Sequence, residues 1–298
     1  TYGDIKLLYI APERLASEPF RVRLRRMRVR FVAVDEAHCI SQWGYDFRPS
    51  YLRIAEIREI IPDATFLALT ASATELVAKD IMYRLGFNQG KVLRSSFARP
   101  NLQYVVRKDG NKYEQLMRLV SNVEGSGIVY MSTRDECEKL AQKLRDDGVS
   151  AQFYHAGLPV LERSMRQDEW LSGKTRIMVA TNAFGMGIDK SDVRFVVHYT
   201  MCDTLEEYYQ EAGRAGRDGK RCYALLIYED GDIARRKQIL EGEFPPIDDV
   251  KLIYERICNY LQVPIGDAEG VSFAFNIYDF CARERMYAGR VKSALALL

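Results

Sequence analysis

Phe31-Val32-Ala33-Val34-Asp35-Glu36-Ala37-His38 decides how the chain is read. Four apolar residues, two of them β-branched, make a short strand, and two adjacent carboxylates follow at once. The acids therefore stand at the carboxyl end of a strand, where α/β sheets place their chemistry. Working outward, similar apolar runs with polar tips recur at Leu7–Ala11, Phe66–Leu69, Leu102–Val106, Ile128–Met131, Ile177–Ala180, Phe195–Val197 and Tyr223–Tyr228. Segments with helical spacing lie between them. Leu52, Ile54, Ile57, Ile60 and Ile61 form one set; Cys137, Leu140, Ala141 and Leu144 form another, closed by Gly148 as a C-terminal cap. Strand–helix alternation predicts an α/β fold of parallel sheets covered by helices.

Composition removes other classes. The 298 residues carry 43 Lys+Arg against 41 Asp+Glu, a net charge of +2, with 47% apolar residues. That excludes a disordered or polyelectrolyte chain, so nucleic-acid contacts must come from local patches. The longest apolar run, Cys222–Tyr228, is far shorter than the ~18 residues of a spanning helix, and no membrane partner is expected. The six cysteines, Cys39, Cys137, Cys202, Cys222, Cys258 and Cys281, contain no C-x-x-C pair. This dispersion predicts free, mostly buried thiols, a cytoplasmic protein and no zinc site. The chain has no initiator Met and is expected to be a fragment.

Two punctuated stretches divide the chain. Ser95–Asn101 is small, polar and broken by Pro100, and Gly242–Pro246 ends the β/α rhythm. The expected domains are 1–97, 98–241 and 242–298. In the last, Val250–Leu261, Tyr278–Arg285 and Arg290–Leu298 read as helices. The final pair, joined at Met286–Gly289, is either a helix-turn-helix or a small helical cap.

The acids after Val34 fit phosphoryl transfer, which needs one carboxylate for Mg²⁺ and one group for the attacking water. Three further strand tips keep them company. Leu69-Thr70-Ala71-Ser72-Ala73-Thr74 carries hydroxyls, and Val179–Lys190 carries Thr181, Gly185, Gly187 and Asp189. Gln210–Gly219 sets Arg214 and Arg217 three apart, a spacing that places both on one helical face. Arginine's planar fork suits a γ-phosphate. The basic run from Arg21 to Arg30 either tracks a phosphate backbone or is a solvated helix end. His155 and His198 have no partners at metal spacing; His198 reads as a satisfied histidine beside the sheet. Tyr208 and Tyr209 read as packing.

These segments resemble the motifs of superfamily-two helicases, and specifically the RecQ family of DNA helicases. The marker is Cys39-Ile40-Ser41-Gln42-Trp43-Gly44-Tyr45-Asp46-Phe47-Arg48-Pro49, directly after the DEAH word. Tyr9–Leu15, Arg99-Pro100-Asn101 and Tyr154–Leu158 add to it, and the match runs from about residue 1 to about 240. The resemblance implies two RecA-like lobes, the first incomplete, followed by a helical, winged-helix-like segment. It implies ATP and Mg²⁺ as cofactors, single-stranded and duplex DNA as partners, and 3′-to-5′ unwinding in recombination and repair. Asp35 would hold Mg²⁺ through water and Glu36 would polarise the attacking water. His38, Gly187, Asp189 and Gln210 would meet the nucleotide. Arg217 would be the arginine finger, with Arg214 beside it. Ser72, Thr74 and Thr181 would link nucleotide and DNA sites. Trp43, Phe47 and Arg48 would sense the single strand, since aromatics stack on bases of any sequence; a hydrophobic flap is the other reading of that loop.

The sequence departs from the family in three places. It has no G-x-x-x-x-G-K-[ST] phosphate loop and no adenine-reading Gln segment. Gly173-Lys174-Thr175 is a decoy, because it follows the helical segment Leu161–Leu171 and Gly173 reads as its cap. After residue 240 only Cys258 and Cys281 remain, so the four-cysteine zinc module of many members is absent or replaced. Residues 273–298 resemble the opening helices of a winged-helix domain, without a wing. Two functions therefore stay open: an ATP-driven DNA-unwinding motor, and a non-catalytic nucleic-acid-binding fragment. An RNA helicase of the same superfamily is a third, against which the aromatic-rich loop argues.

Overall fold

The computed structural model describes residues 5–43, 46–185, 188–267 and 270–298. The chain divides into two compact units. One comprises residues up to Val105 together with Leu116–Leu226, and the other comprises Val106–Gln115 with Ile227–Leu298.

The first unit begins with a 3-10 turn at Pro12–Ala16 and helix α1, Glu18–Leu24. Strand β1, Phe31–Val34, is followed by 3-10 turns at Ala37–Ile40 and Pro49–Ile54 and by the single-turn helix α2, Ile57–Ile60. Strand β2, Thr65–Ala68, pairs parallel with β1 in the register Phe31↔Thr65 to Val34↔Ala68. Helix α3, Glu75–Arg84, starts on Thr74, whose hydroxyl accepts the Val77 N–H. Two expectations fail here. Leu7–Ala11 has strand composition but joins no ladder among the described residues; a strand exists through its partner, and β1 and β2 have only each other. The apolar spacing of Leu52–Ile61 gives two short turns instead of one helix. Pro49 starts the first of them, and Ala55 and Glu56 separate it from α2.

A six-stranded sheet follows along the chain. Its elements are β3 (Leu102–Lys108), α4 (Lys112–Asn122), β4 (Ser126–Tyr130), α5 (Arg134–Asp146), β5 (Ala151–Tyr154), α6 (Val160–Leu171), β6 (Ile177–Ala180), β7 (Val193–His198), α7 (Leu205–Ala212) and β8 (Cys222–Tyr228). Strand order is β3-β8-β7-β4-β6-β5, and the β8–β7, β7–β4, β4–β6 and β6–β5 pairs are parallel. Every residue of β4 and β6 is buried, as a parallel sheet covered on both faces requires. Gly127 in β4 is demanded by this closeness, since a Cβ there would run into the Phe195 ring. Gly148 and Gly173 adopt positive φ (79° and 81°) just after α5 and α6, the caps their sequence positions predict.

In the second unit α8 (Asp230–Glu243) precedes α9 (Ile247–Leu261), α10 (Ile277–Glu284) and α11 (Ala288–Leu297). The last three share a core of Val250, Ile253, Ile257, Phe280, Cys281, Val291 and Ala294. Among the described residues no helix is long and apolar enough to cross a membrane.

Candidate active site at the strand tips

Asp35 and Glu36 leave the end of β1. Glu36 adopts left-handed backbone angles (φ 48°, ψ 44°), an uncommon state for a residue with a side chain and one that concentrates at functional sites. Its N–H donates to Asp35 Oδ1 at 2.9 Å, which fixes the Asp35 carboxylate against the backbone of the turn. The next four residues, Ala37–Ile40, are fully buried. His38 Nδ1 lies 3.1 Å from Thr70 Oγ1 and 3.4 Å from Glu36 Oε2, which ties the acids to the hydroxyl segment after β2.

The aromatic-rich loop is fastened to the same turn. The Arg48 N–H donates to Cys39 O at 2.8 Å. Arg48 Nη2 pairs with Asp46 Oδ2 at 2.6 Å, and the Cys39 thiol reaches that oxygen at 3.6 Å. Tyr51 donates its hydroxyl to Asp35 O at 3.3 Å. Trp43 stands 68% exposed, while Phe47 and Arg48 are half-buried. Ser72 Oγ is buried without a partner, and Thr74 is the α3 cap described above.

Local electrostatics follow from this crowding. Burial, then the neighbouring Asp35 carboxylate, hold the Glu36 carboxyl above its ordinary value, while Arg214 and Arg48 offset part of that rise. Burial keeps His38 below its ordinary value, so the ring is a neutral hydrogen-bond bridge at neutral pH. The hydrogen bond from Arg48 holds Asp46 low, and burial pushes the Cys39 thiol up to about 12. Two adjacent carboxylates on a strand tip are a hard oxygen donor set, which suits Mg²⁺.

The second group forms at the tips of β6 and α7. Helix α7 stops at Ala212, so Arg214 and Arg217 do not share a helical face as their spacing suggests. Gly216 and Gly219 take positive φ (60° and 78°) and turn the chain instead. Arg217 Nη1 pairs with Asp189 Oδ1 at 2.7 Å. Arg214 donates to the Gly185 carbonyl, and its charge is the one from this segment that reaches Glu36. Thr181 and Gln210 are half-buried nearby in the chain. Gly187, Gly44 and Tyr45 lie outside the described residues.

Sequence reasoning missed what holds the arginine turn. Arg99 donates to the carbonyls of Gly213, Ala215 and Gly216 at 2.6–2.9 Å. Asn101 donates to those of Gly216 and Lys220. The signal was present as Arg99-Pro100-Asn101, quoted above only as a family marker. His198 is satisfied at one nitrogen only, with Nε2 2.9 Å from Glu211 Oε2 and Nδ1 buried without a hydrogen-bond partner, which corrects the expected fully satisfied histidine. Tyr208 and Tyr209 pack, on His198 and Phe97 respectively.

Comparison with known proteins agrees with this geometry. Residues 1–81 match the DEAD/DEAH box helicase family, and residues 111–219 match the helicase conserved C-terminal domain. The chain is 45% identical over 239 residues to ATP-dependent DNA helicase RecQ of Pasteurella multocida, covering 80% of this chain and 38% of that protein. It is 46% identical over 249 residues to ATP-dependent DNA helicase hus2/rqh1 of Schizosaccharomyces pombe, covering 80% of this chain and 19% of that protein. The chain thus spans well under half the length of these relatives. Among solved structures, S. cerevisiae Dbp5 bound to RNA and ADP BeF3 aligns with a TM-score of 0.57 at 20% identity, over 74% of this chain and 59% of that one. That likeness concerns the RecA-like fold alone. With the motifs, the parallel sheets and these relatives in agreement, the chain belongs to the RecQ family of DEAD/DEAH-box helicases.

Proposed function

We propose that this chain is the catalytic-acid and arginine-bearing part of an ATP-driven motor that unwinds DNA 3′ to 5′ in recombination and repair. Its lobes are assigned to 1–97 and 98–241, with 242–298 a helical, winged-helix-like appendage. The observation that carries the reading is the bonded cluster Glu36–His38–Cys39–Asp46–Arg48. It supports the reading by linking Glu36 through His38 and Cys39 to Asp46 and Arg48, the residues that flank Phe47 in the aromatic-rich loop.

Asp35 would hold Mg²⁺ through water; the ion neutralises phosphate charge when bound. Glu36 orients the attacking water, and its raised proton affinity suits a group that takes a proton during the step. Arg217 and Arg214 answer charge on the transferring phosphoryl group, with Asp189 holding Arg217 until then. His38, Gln210 and Gly187 serve the nucleotide, and Ser72, Thr74 and Thr181 face the DNA. Single-stranded and duplex DNA are the partners, the location is cytoplasmic, and folding needs no four-cysteine zinc module.

The test uses a longer protein that carries a G-x-x-x-x-G-K-[ST] segment ahead of residue 1. Its ATPase should be stimulated by single-stranded DNA. Glu36→Gln should keep ATP binding and lose turnover by a factor on the order of 10² or more. The 298 residues alone should show no DNA-stimulated ATPase, because their sequence contains no G-x-x-x-x-G-K-[ST] loop to cradle the β- and γ-phosphates. Turnover near wild type in Glu36→Gln would overturn the assignment. DNA binding without hydrolysis in the longer protein would favour the non-catalytic alternative.

A further inference from the structure

The sheet of the second lobe carries a trio of metal-ligating side chains that the nucleotide chemistry leaves unused. His198 is the last residue of β7, Cys202 lies in the loop that follows, and Glu211 stands near the end of α7. His198 Nε2 is 2.9 Å from Glu211 Oε2, Cys202 Sγ is 3.4 Å from the same oxygen, and the three ligand atoms lie within 4.8 Å of one another. Tetrahedral zinc, with bonds of about 2.0–2.3 Å, separates its ligand atoms by roughly 3.3–3.6 Å. The two pairs with Glu211 lie within tenths of an ångström of that spacing, and closing the third, within 4.8 Å, takes at most about 1.2 Å, within reach of a side-chain adjustment of Cys202 in its loop. The His198 side chain is fully buried and that of Glu211 is 8% exposed, so the positions are fixed by packing. Cys202 and Glu211 also line a polar cavity of about 110 Å³ that includes Tyr130, Thr200 and Asp203. A cation can enter there, and the cavity has room for water as a fourth ligand.

We propose that His198, Cys202 and Glu211 bind one divalent cation of the zinc class, with cavity water completing a tetrahedral site. Nitrogen, sulfur and one carboxylate oxygen favour zinc or cobalt over the hard Mg²⁺ that serves ATP. On binding, the Cys202 thiol gives its proton to solvent and the metal takes its place. The site is independent of the helicase reading. It is also distinct from a zinc module that the fold would require, because two of its three ligands are already held by β7 and α7. The other mixed cluster, His38–Cys39–Asp46, is a weaker candidate because Arg48 already occupies Asp46 at 2.6 Å.

The experiment titrates the reduced 298-residue chain with Co²⁺ and records its spectrum. Expected are a thiolate-to-cobalt charge-transfer band and the intense visible bands of tetrahedral cobalt. They should saturate at one ion per chain, be displaced by Zn²⁺, and be unmoved by excess Mg²⁺. Cys202→Ser should abolish the charge-transfer band, Glu211→Gln should weaken cobalt binding at least about tenfold, and Cys39→Ser should retain the band. A readout without mutation is alkylation of the wild-type chain mapped by mass spectrometry. Cys202 is the half-buried cysteine, the other five being buried, and Zn²⁺ should protect it. Absence of the band, its survival in Cys202→Ser, or alkylation of Cys202 unchanged by Zn²⁺ would each overturn the proposal.

Discussion

The two RecA-like regions set their chemistry on opposite kinds of support. In the first, the DEAH turn is itself core. Ala37, Cys39 and Ile40 pack with Leu15, Leu24, Val34, Tyr51, Ile54 and Ile57 on one side of a two-stranded sheet. Phe31, Leu67 and Leu69 stay exposed. In the second, the core is the six-stranded sheet around Trp170, Phe184, Ile128 and Met178. The arginine turn is anchored in that core by the buried Ala215, while Arg217 stands at its surface and donors from Arg99 and Asn101 hold the turn's carbonyls. Catalysis and stability are thus coupled in the first region and separable in the second.

The largest expected effect tests that separation. In the longer, ATPase-active protein, Arg217→Ala should lower kcat by about 10³–10⁵, the contribution of an arginine finger. Thermal stability should hold within about 0.5 kcal/mol, because the pair it loses, with Asp189 at 81% side-chain exposure, is a surface pair. Steady-state kinetics and a melting curve on one sample check both halves. If ATPase is unchanged, the finger is Arg214, whose charge already reaches Glu36.

A smaller effect contrasts the two tryptophans. Trp170 is fully buried and donates Nε1–H to Gly127 O at 3.3 Å. Trp170→Ala should cost about 3–5 kcal/mol in denaturant unfolding. Trp43, exposed in the loop, should cost almost nothing in the same assay. Its loss should appear instead as weaker single-strand binding, by about 1–3 kcal/mol, and as basal ATPase that DNA no longer stimulates. Intact stimulation in Trp43→Ala would make the loop a packing flap. A large stability loss there would show that the first region's core extends into the loop.

The same contrast explains what was legible in the sequence. Strands of the second region were readable because burial on both faces writes an unbroken apolar run, as in Ile177–Ala180. Caps were readable because Gly148 and Gly173 answer a local need for positive φ. Leu7–Ala11 misled because composition cannot say whether a ladder partner is present. Arg214 and Arg217 misled because helical spacing says nothing once glycines end the helix at Ala212. The DEAH acids were legible as a word, but their connection to Thr70, Asp46 and Arg48 joins segments up to 35 residues apart in sequence and appears only when they fold together. The His198–Cys202–Glu211 trio escaped for the same reason, its spacing matching no local metal motif.

The smallest expected effect reads the coupled core through its histidine. His38 touches Thr70 and Cys39 and faces Glu36, Asp35, Asp46 and Arg48. Burial holds its folded value below the ordinary 6.5. As pH falls below 6.5 the unfolded chain takes up a proton that the folded chain refuses. The contribution to stability is therefore complete above the unfolded value and is lost as pH falls through the folded one. Melting curves of the 298-residue chain from about pH 7.5 to about pH 5.5 should show a loss that cannot exceed about 1.4 kcal/mol per pH unit from one group. Glu36 works in the opposite sense, since its raised value makes the folded chain bind a proton earlier than the unfolded one on acidification. The readout is therefore the difference between wild type and His38→Asn, in which the acid loss should shrink while the Glu36 contribution remains. Identical pH slopes in the two proteins would mean that His38 keeps its ordinary value in the folded turn, and an acid loss that deepens in His38→Asn would mean that it is charged there. The bridge from Glu36 through His38 to Thr70 would then be an ion pair rather than a neutral hydrogen-bond link.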